Sequence, residues 1–235
     1  MKVFGIVPIL VFFTSFPAFA GVIYDVRTGV YNDGDPVPTI EDAVVTATYV
    51  GYHGWQVIYC SEIPSGSFRG IRINTIPAYS LFPVEVGDLV TISGATAHNI
   101  GRELSVSADE GGSIISTGST DLPWIDLTYQ DIANDLPGLE WWACPIHFTE
   151  WFSVSAMHEG TNHWEAISGI GGNTAHFRFL GDFISISIGD CFQGVRGIWN
   201  WPDTSLYVSS DGLQVIDCAL PVEGNYFGNV KAQFR

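Results

Sequence analysis

The chain has 235 residues, of which 25 are acidic and 9 basic, giving a formal net charge of −16. Such a surface repels polyanions. Nucleic-acid binders ordinarily carry a basic stripe that neutralises phosphates, so the charge disfavours a nucleic-acid partner and suits a cation, a protein or a saccharide-like ligand. Apolar residues make up 46% of the chain, ample for packed cores, which excludes a disordered polymer.

Residues 1–20 carry Lys2, an apolar run from Val3 to Phe13, and Ala18-Phe19-Ala20 ahead of Gly21. This is the pattern of a secretory signal peptide with an A-x-A cleavage site, and its apolar run is shorter than the roughly 20 residues a membrane span needs. The expected location is therefore secreted or periplasmic, without a membrane anchor.

Five strands follow in residues 21–118. Asp42–Val50 alternates and is rich in β-branched residues, and Trp55–Tyr59, Gly70–Asn74, Val90–His98 and Leu104–Val106 continue the series. Residues 119–139 read as a linker with a short helix around Tyr129–Asn134. A second set then spans 140–220: Ile146–Met157, Trp164–Ile167, Ala175–Leu180, Phe192–Trp201 and Leu206–Val208, before a tail at 221–235.

The two sets repeat each other. Val86–Gly94 (VGDLVTISG) returns as Ile188–Gly197 (IGDCFQGVRG), and each copy is followed by an alternating strand and an Asp-plus-Gly turn. Upstream, GWQVIY (Gly54–Tyr59) parallels HWEAIS (His163–Ser168), and Ile71-Arg72-Ile73 parallels Phe177-Arg178-Phe179. Ordered self-similarity of this length predicts two copies of one unit. Five strands, a long first strand and a Gly inside the fourth predict an all-β protein of two tandem OB-like five-stranded barrels. The order DAVVTA, WQVIY, GIRIN, VEVGDLVTISGATAHNIGRELSV resembles the OB-fold modules that accompany the catalytic domain of secreted bacterial nucleases, and related modules of exported surface proteins. The resemblance implies structural roles for Val86, Gly87, Asp88, Val90, Ile92 and Gly94. No stretch resembles the accompanying phosphohydrolase domain, so nuclease activity is not implied.

The candidate sites are few. Trp164, Phe177, Phe179, Trp199 and Trp201 cluster in the second unit and are the expected ligand-stacking residues, since aromatics on such strands can stack on bases or sugars. Alternation puts Phe177 with Phe179 and Trp199 with Trp201 on shared faces, so either pair is a binding platform or core. Of four cysteines, Cys144 and Cys191 are expected to bridge neighbouring strands, with unpaired buried thiols as the competing reading. His158-Glu159 with His163 is one residue too long for a helical zinc motif and contains Gly160, so it reads as a turn. Asn32-Asp33-Gly34-Asp35 places oxygen ligands around a Gly as calcium loops do, but the full twelve-residue pattern is missing and a turn fits as well. Gly169-Ile170-Gly171-Gly172 lacks a following helix to hold a phosphate. No catalytic constellation, resident metal or cofactor is expected, and the function read from the sequence is a non-catalytic exported binding module. The alternative is a nucleic-acid-binding accessory module of an extracellular nuclease system.

Overall fold

The computed structural model describes residues 21–216 except 52, 99–101, 134–135, 159–161, 181–184, 201–202, 210–211 and 214. The expected signal peptide, Trp201, Cys218 and the tail lie outside the described residues.

The first unit opens with helix α1 (Val22–Arg27), then β1 (Ile40–Val50), β2 (Gln56–Ser61) and β3 (Gly70–Ile76). It continues with β4 (Asp88–Ser93), β5 (Ala95–His98), β6 (Glu103–Ser107) and β7 (Ser113–Ser119). The single expected strand Val90–His98 is bent in two at Gly94, whose φ of +64° and close approach to Gly112 exclude a side chain. The bend lets β4 pair with β1 while β5 pairs with β6. Because β6 also runs parallel to β3, the circuit β1-β2-β3-β6-β5/β4-β1 closes into a barrel, with β7 added on β4. Strict alternation fills it: Ile58, Cys60, Ile71, Ile73, Val90, Ile92, Leu104 and Val106 all point inward and are fully buried.

The second unit contains β8 (Ile125–Leu127), α2 (Tyr129–Ala133), a 3-10 helix (Leu136–Trp141), β9 (Pro145–Met157), β10 (His163–Ser168) and β11 (Thr174–Phe179). Strands β12 (Cys191–Asn200), β13 (Ser205–Val208) and β14 (Val215–Ile216) complete it. Its circuit β9-β10-β11-β13-β12-β9 has the same closure and the same parallel pairing of third and fifth barrel strands, β11 with β13. Each unit is an OB-like five-stranded barrel. The repeated V/I-G-D stretch is the turn into the fourth barrel strand in both. Gly87 and Gly189 have φ of +93° and +95° and donate to Val45 and Val154 carbonyls. Asp88 and Asp190 carboxylates accept the Glu85 and Ser187 amides at 3.0 and 2.7 Å.

A helix precedes and plugs each barrel. Ile23 and Val26 of α1 enter the first core; Tyr129 and Ile132 of α2 enter the second. A barrel carboxylate caps each helix start: Glu62 accepts the Ile23 amide at 2.7 Å, and Glu150 accepts the Tyr129 amide. Residues 119–139 are thus more than a linker, since α2 and β8 belong to the second barrel.

The barrels are joined by a packed seam. Ala47, Val57 and Tyr59 of the first meet Trp142, Ala143 and Ile198 of the second in a buried cluster. Arg27, at the end of α1, fastens it by donating to the carbonyls of Gly70 and Leu139, each at 2.7 Å, and of Trp142. Burial pulls its guanidinium down to about 10, so it remains charged at neutral pH. Gly70 is required here because a Cβ would strike the Ala143 carbonyl.

The expected Cys144–Cys191 bridge is not formed. The strands are neighbours as anticipated, but the register pairs Cys191 with Ser153 and Gly197 with Ile146, leaving the two cysteines at opposite ends of β9. At about 3.3 Å per residue this separation is far beyond a disulfide's reach. Cys144 is a free, buried thiol whose Sγ lies 3.3 Å from the Gly66 carbonyl, and Cys60 is free in the first core. Burial pushes the Cys144 thiol up to about 11.

Candidate functional site

The expected aromatic platform is core. Trp164, Phe177, Phe179 and Trp199 are at most 3% exposed and pack with Phe152 and Phe192 inside the second barrel. Trp164 stacks on Phe177 with centroids 4.2 Å apart. A side chain buried in this way cannot stack on a ligand; burying each one stabilises the barrel by roughly 2–3 kcal/mol. Phe177 and Phe179 do share a face, and that face points inward.

The same alternation then fixes what points outward. On β10 and β11, if Trp164, Ala166, Ala175, Phe177 and Phe179 face in, then His163, Glu165, Ile167, Thr174, His176 and Arg178 face out. The β10–β11 register puts Glu165 opposite His176 and His163 opposite Arg178. In an OB-type barrel this sheet face, formed by the second and third strands, is the usual ligand surface. His158 joins it from the end of β9, because its amide donates to the His163 carbonyl at 3.1 Å and closes the hairpin.

Glu165 is the centre of the cluster. Its Oε1 lies 2.9 Å from His158 Nε2 and 3.8 Å from His176 Nδ1, while His163 Nε2 and His176 Nδ1 are 3.3 Å apart. The His158 and His163 rings stack in parallel with centroids 4.4 Å apart. Partial burial, then the neighbouring His158, Arg178 and His176, hold His163 below the ordinary imidazole value against the opposing pull of Glu165. His163 is accordingly neutral at neutral pH. Arg178, the cation of the face, is paired with Asp203 at 2.7 Å; that carboxylate also accepts from Asn200, Ser205 and Tyr207.

The β2 side of the corresponding face of the first barrel is covered. The strand registers make Tyr59 and Arg72 the equivalents of Glu165 and His176. Tyr59 is 1% exposed against the second barrel, and Arg72 is bonded to Glu103 at 3.1 Å, with Asn74 on the other oxygen of that carboxylate at 2.9 Å. Beside the seam, a cavity of about 250 Å³ is lined by Thr46, Thr48, Trp124, Arg196, Tyr207 and Ser209 among others, with the Arg196 guanidinium 5.8 Å above the Trp124 ring.

The remaining sequence candidates have structural roles. Asp35 accepts the amide of Asn32 at 2.8 Å and its side-chain Nδ2 at 3.1 Å, forming a turn. Residues 169–172 form the turn between β10 and β11, anchored where Ser168 and the Ile170 amide bond to buried Glu150. Glu159 and Gly160 lie outside the described residues, but the His158 and His163 rings come together, with Glu165 as the carboxylate. The missed signal was the pair of alternating polar runs, H-x-E in HWEAIS and H-x-R in AHFRF, opposite inward-facing aromatics.

No family model and no curated protein matches the sequence. Among solved structures, the tetrameric p202 HIN2 domain is similar over 79% of this chain and 97% of its own, at 11% identity and a TM-score of 0.38. A murine DNA-binding protein bound to double-stranded DNA is similar over 78% and 99%, at 12% identity and a TM-score of 0.33. The Ifi202 HINa domain in complex with a 20-bp double-stranded DNA is similar over 79% and 96%, at 11% identity and a TM-score of 0.35. The DNA in the last two is a property of those proteins.

Proposed function

We propose that this chain is an exported, non-catalytic binding module that presents one ligand face, the outward surface of β10 and β11. The observation that carries the reading is the contrast between equivalent faces: the β2 side of the first barrel's, with Val57 and Tyr59, is buried in the seam, and the second's is set with half-exposed His163, Glu165, His176 and Arg178. The leader-like segment ending at Ala20 and the resemblance of Val86–Gly94 to modules of exported proteins support export. The acidic surface favours a protein or saccharide-like ligand over a polyanion. The test uses the full mature chain and an Ile167→Glu/Thr174→Arg variant, whose altered side chains are both exposed, on a glycan array and against extracellular protein fractions. A ligand that binds the wild type and loses at least about tenfold, or 1.4 kcal/mol, in the variant supports the reading. Ligands retained equally by both contradict it.

A second reading, a nucleic-acid-binding accessory module, is favoured by Arg196 lying over Trp124 beside the inter-barrel cavity, since paired cations and aromatics are what single strands stack on. Salt-dependent retention of a single-stranded oligonucleotide that disappears in Arg196→Glu supports it. No retention at low salt ends it.

A further inference from the structure

The geometry points to a divalent transition-metal site on the second barrel, in which His158, His163 and Glu165 bind one ion of the zinc class, with His176 beside them. The donor set is assembled by the fold and not by a local motif. Alternation brings His163 and Glu165 to one face of β10; the β10–β11 register sets His176 directly across from Glu165; and the hairpin bond from the His158 amide to the His163 carbonyl returns His158 to the same place. One ligand atom each from His158, His163 and Glu165 lies within 4.8 Å of the other two. The 2.9 Å between Glu165 Oε1 and His158 Nε2 is close to the donor-to-donor distance of about 3.3 Å that a tetrahedral zinc site requires when its bonds are about 2.0–2.1 Å, and His176 Nδ1 adjoins the group at 3.3 Å from His163 Nε2 and 3.8 Å from Glu165 Oε1.

The chemistry of the donors agrees with this assignment. Imidazoles with one carboxylate suit zinc, copper, nickel or iron, whereas calcium and magnesium take oxygen donors. Among the described residues of the face the cation is Arg178, which is compensated by Asp203 at 2.7 Å, and the acidic chain as a whole concentrates cations around itself. Two strands and a closed hairpin hold the donors, so little rearrangement is needed on binding. The site holds whether or not the face takes any further ligand, and its test does not depend on one.

The experiment is isothermal titration of the tag-free, chelator-stripped full chain with zinc chloride near pH 7.5, with visible absorption of the cobalt(II) form as a second readout. The expected result is one ion per chain, a rise in melting temperature, and cobalt bands of tetrahedral type. His158→Ala, His163→Ala and Glu165→Gln are each expected to weaken binding by at least about 100-fold, beyond the roughly 10–100-fold that loss of an outer partner causes. His147→Ala, which alters a histidine paired with Asp126 elsewhere on the barrel, is expected to change nothing. Melting curves of the metal-free variants establish that they fold, and Glu165→Gln preserves side-chain size in case an alanine variant does not. Absence of stoichiometric binding, or binding that survives Glu165→Gln or falls equally with His147→Ala, overturns the assignment.

Discussion

The two barrels share a frame and differ in what their outer strand faces are for. In the first, Tyr59 is turned to the neighbouring barrel, packing with Trp142 and Ile198, and Arg72 is tied to Glu103 within its own barrel. In the second, Glu165 and His176 occupy the same places and meet solvent and one another. Duplicating a barrel supplies two equivalent faces, and here one has become a mount while the other has collected chemistry. The interiors diverged in the same direction. Ile58 and Ile73 of the first core correspond to Trp164 and Phe177 of the second, so the second barrel is filled by aromatic stacking and the first by aliphatics.

The core difference gives the largest expected effect. Trp164→Ala removes the ring that stacks on Phe177 and is expected to cost about 3–5 kcal/mol, whereas Ile58→Ala at the equivalent position costs about 2–4. Urea denaturation of the two variants measures both, and equal losses would contradict the claim that the second core leans on its aromatics. Next is the mount. Arg27→Ala leaves three buried carbonyl partners without their charged donor and is expected to cost about 3 kcal/mol, with calorimetry showing two transitions where the intact chain shows one.

The smallest effect concerns the open face. His163 titrates lower in the folded chain than its unfolded value of about 6.5. As pH falls below that value the unfolded state takes up the proton first, so the contribution of this residue to stability is full above about 6.5 and is lost as pH falls through the lower folded value. Denaturation at pH 7.5 and 5.5 is expected to show a drop that His163→Gln reduces. An unchanged drop would place the titrating group elsewhere.

Much of the frame was legible from alternation and from the repeat. Gly70–Asn74 and Leu104–Val106 read as strands and lie in β3 and β6, and the repeated V/I-G-D stretch marked the entry to the fourth barrel strand in both units. Both upstream parallels were out of register: the strand pairings set Ile73 against Phe177 and Arg72 against His176 instead of Arg178, and GWQVIY is displaced against HWEAIS. Aligning Trp55 with Trp164 matches residues of opposite parity: Trp164 is buried where Ile58 is, and Trp55 is 50% exposed. Alternation likewise shows which residues share a face but not which face is inside, so Phe177 and Phe179 passed for a platform. The His–Glu cluster depends on a cross-strand register and on a hairpin closure, neither of which leaves a fixed spacing in the sequence. The Cys144–Cys191 expectation failed for the same reason, since neighbouring strands do not determine register.

The central claim, one covered face and one open face, is tested most directly by hydroxyl-radical footprinting of the full chain read residue by residue. Tyr59 and Trp142 are expected to stay protected in the wild type and to become labelled in Arg27→Ala, while His163 and His176 label in both; Tyr79, 79% exposed, sets the scale for a free ring. Labelling of Tyr59 in the wild type at the rate of Tyr79 would contradict the seam and the division of roles built on it.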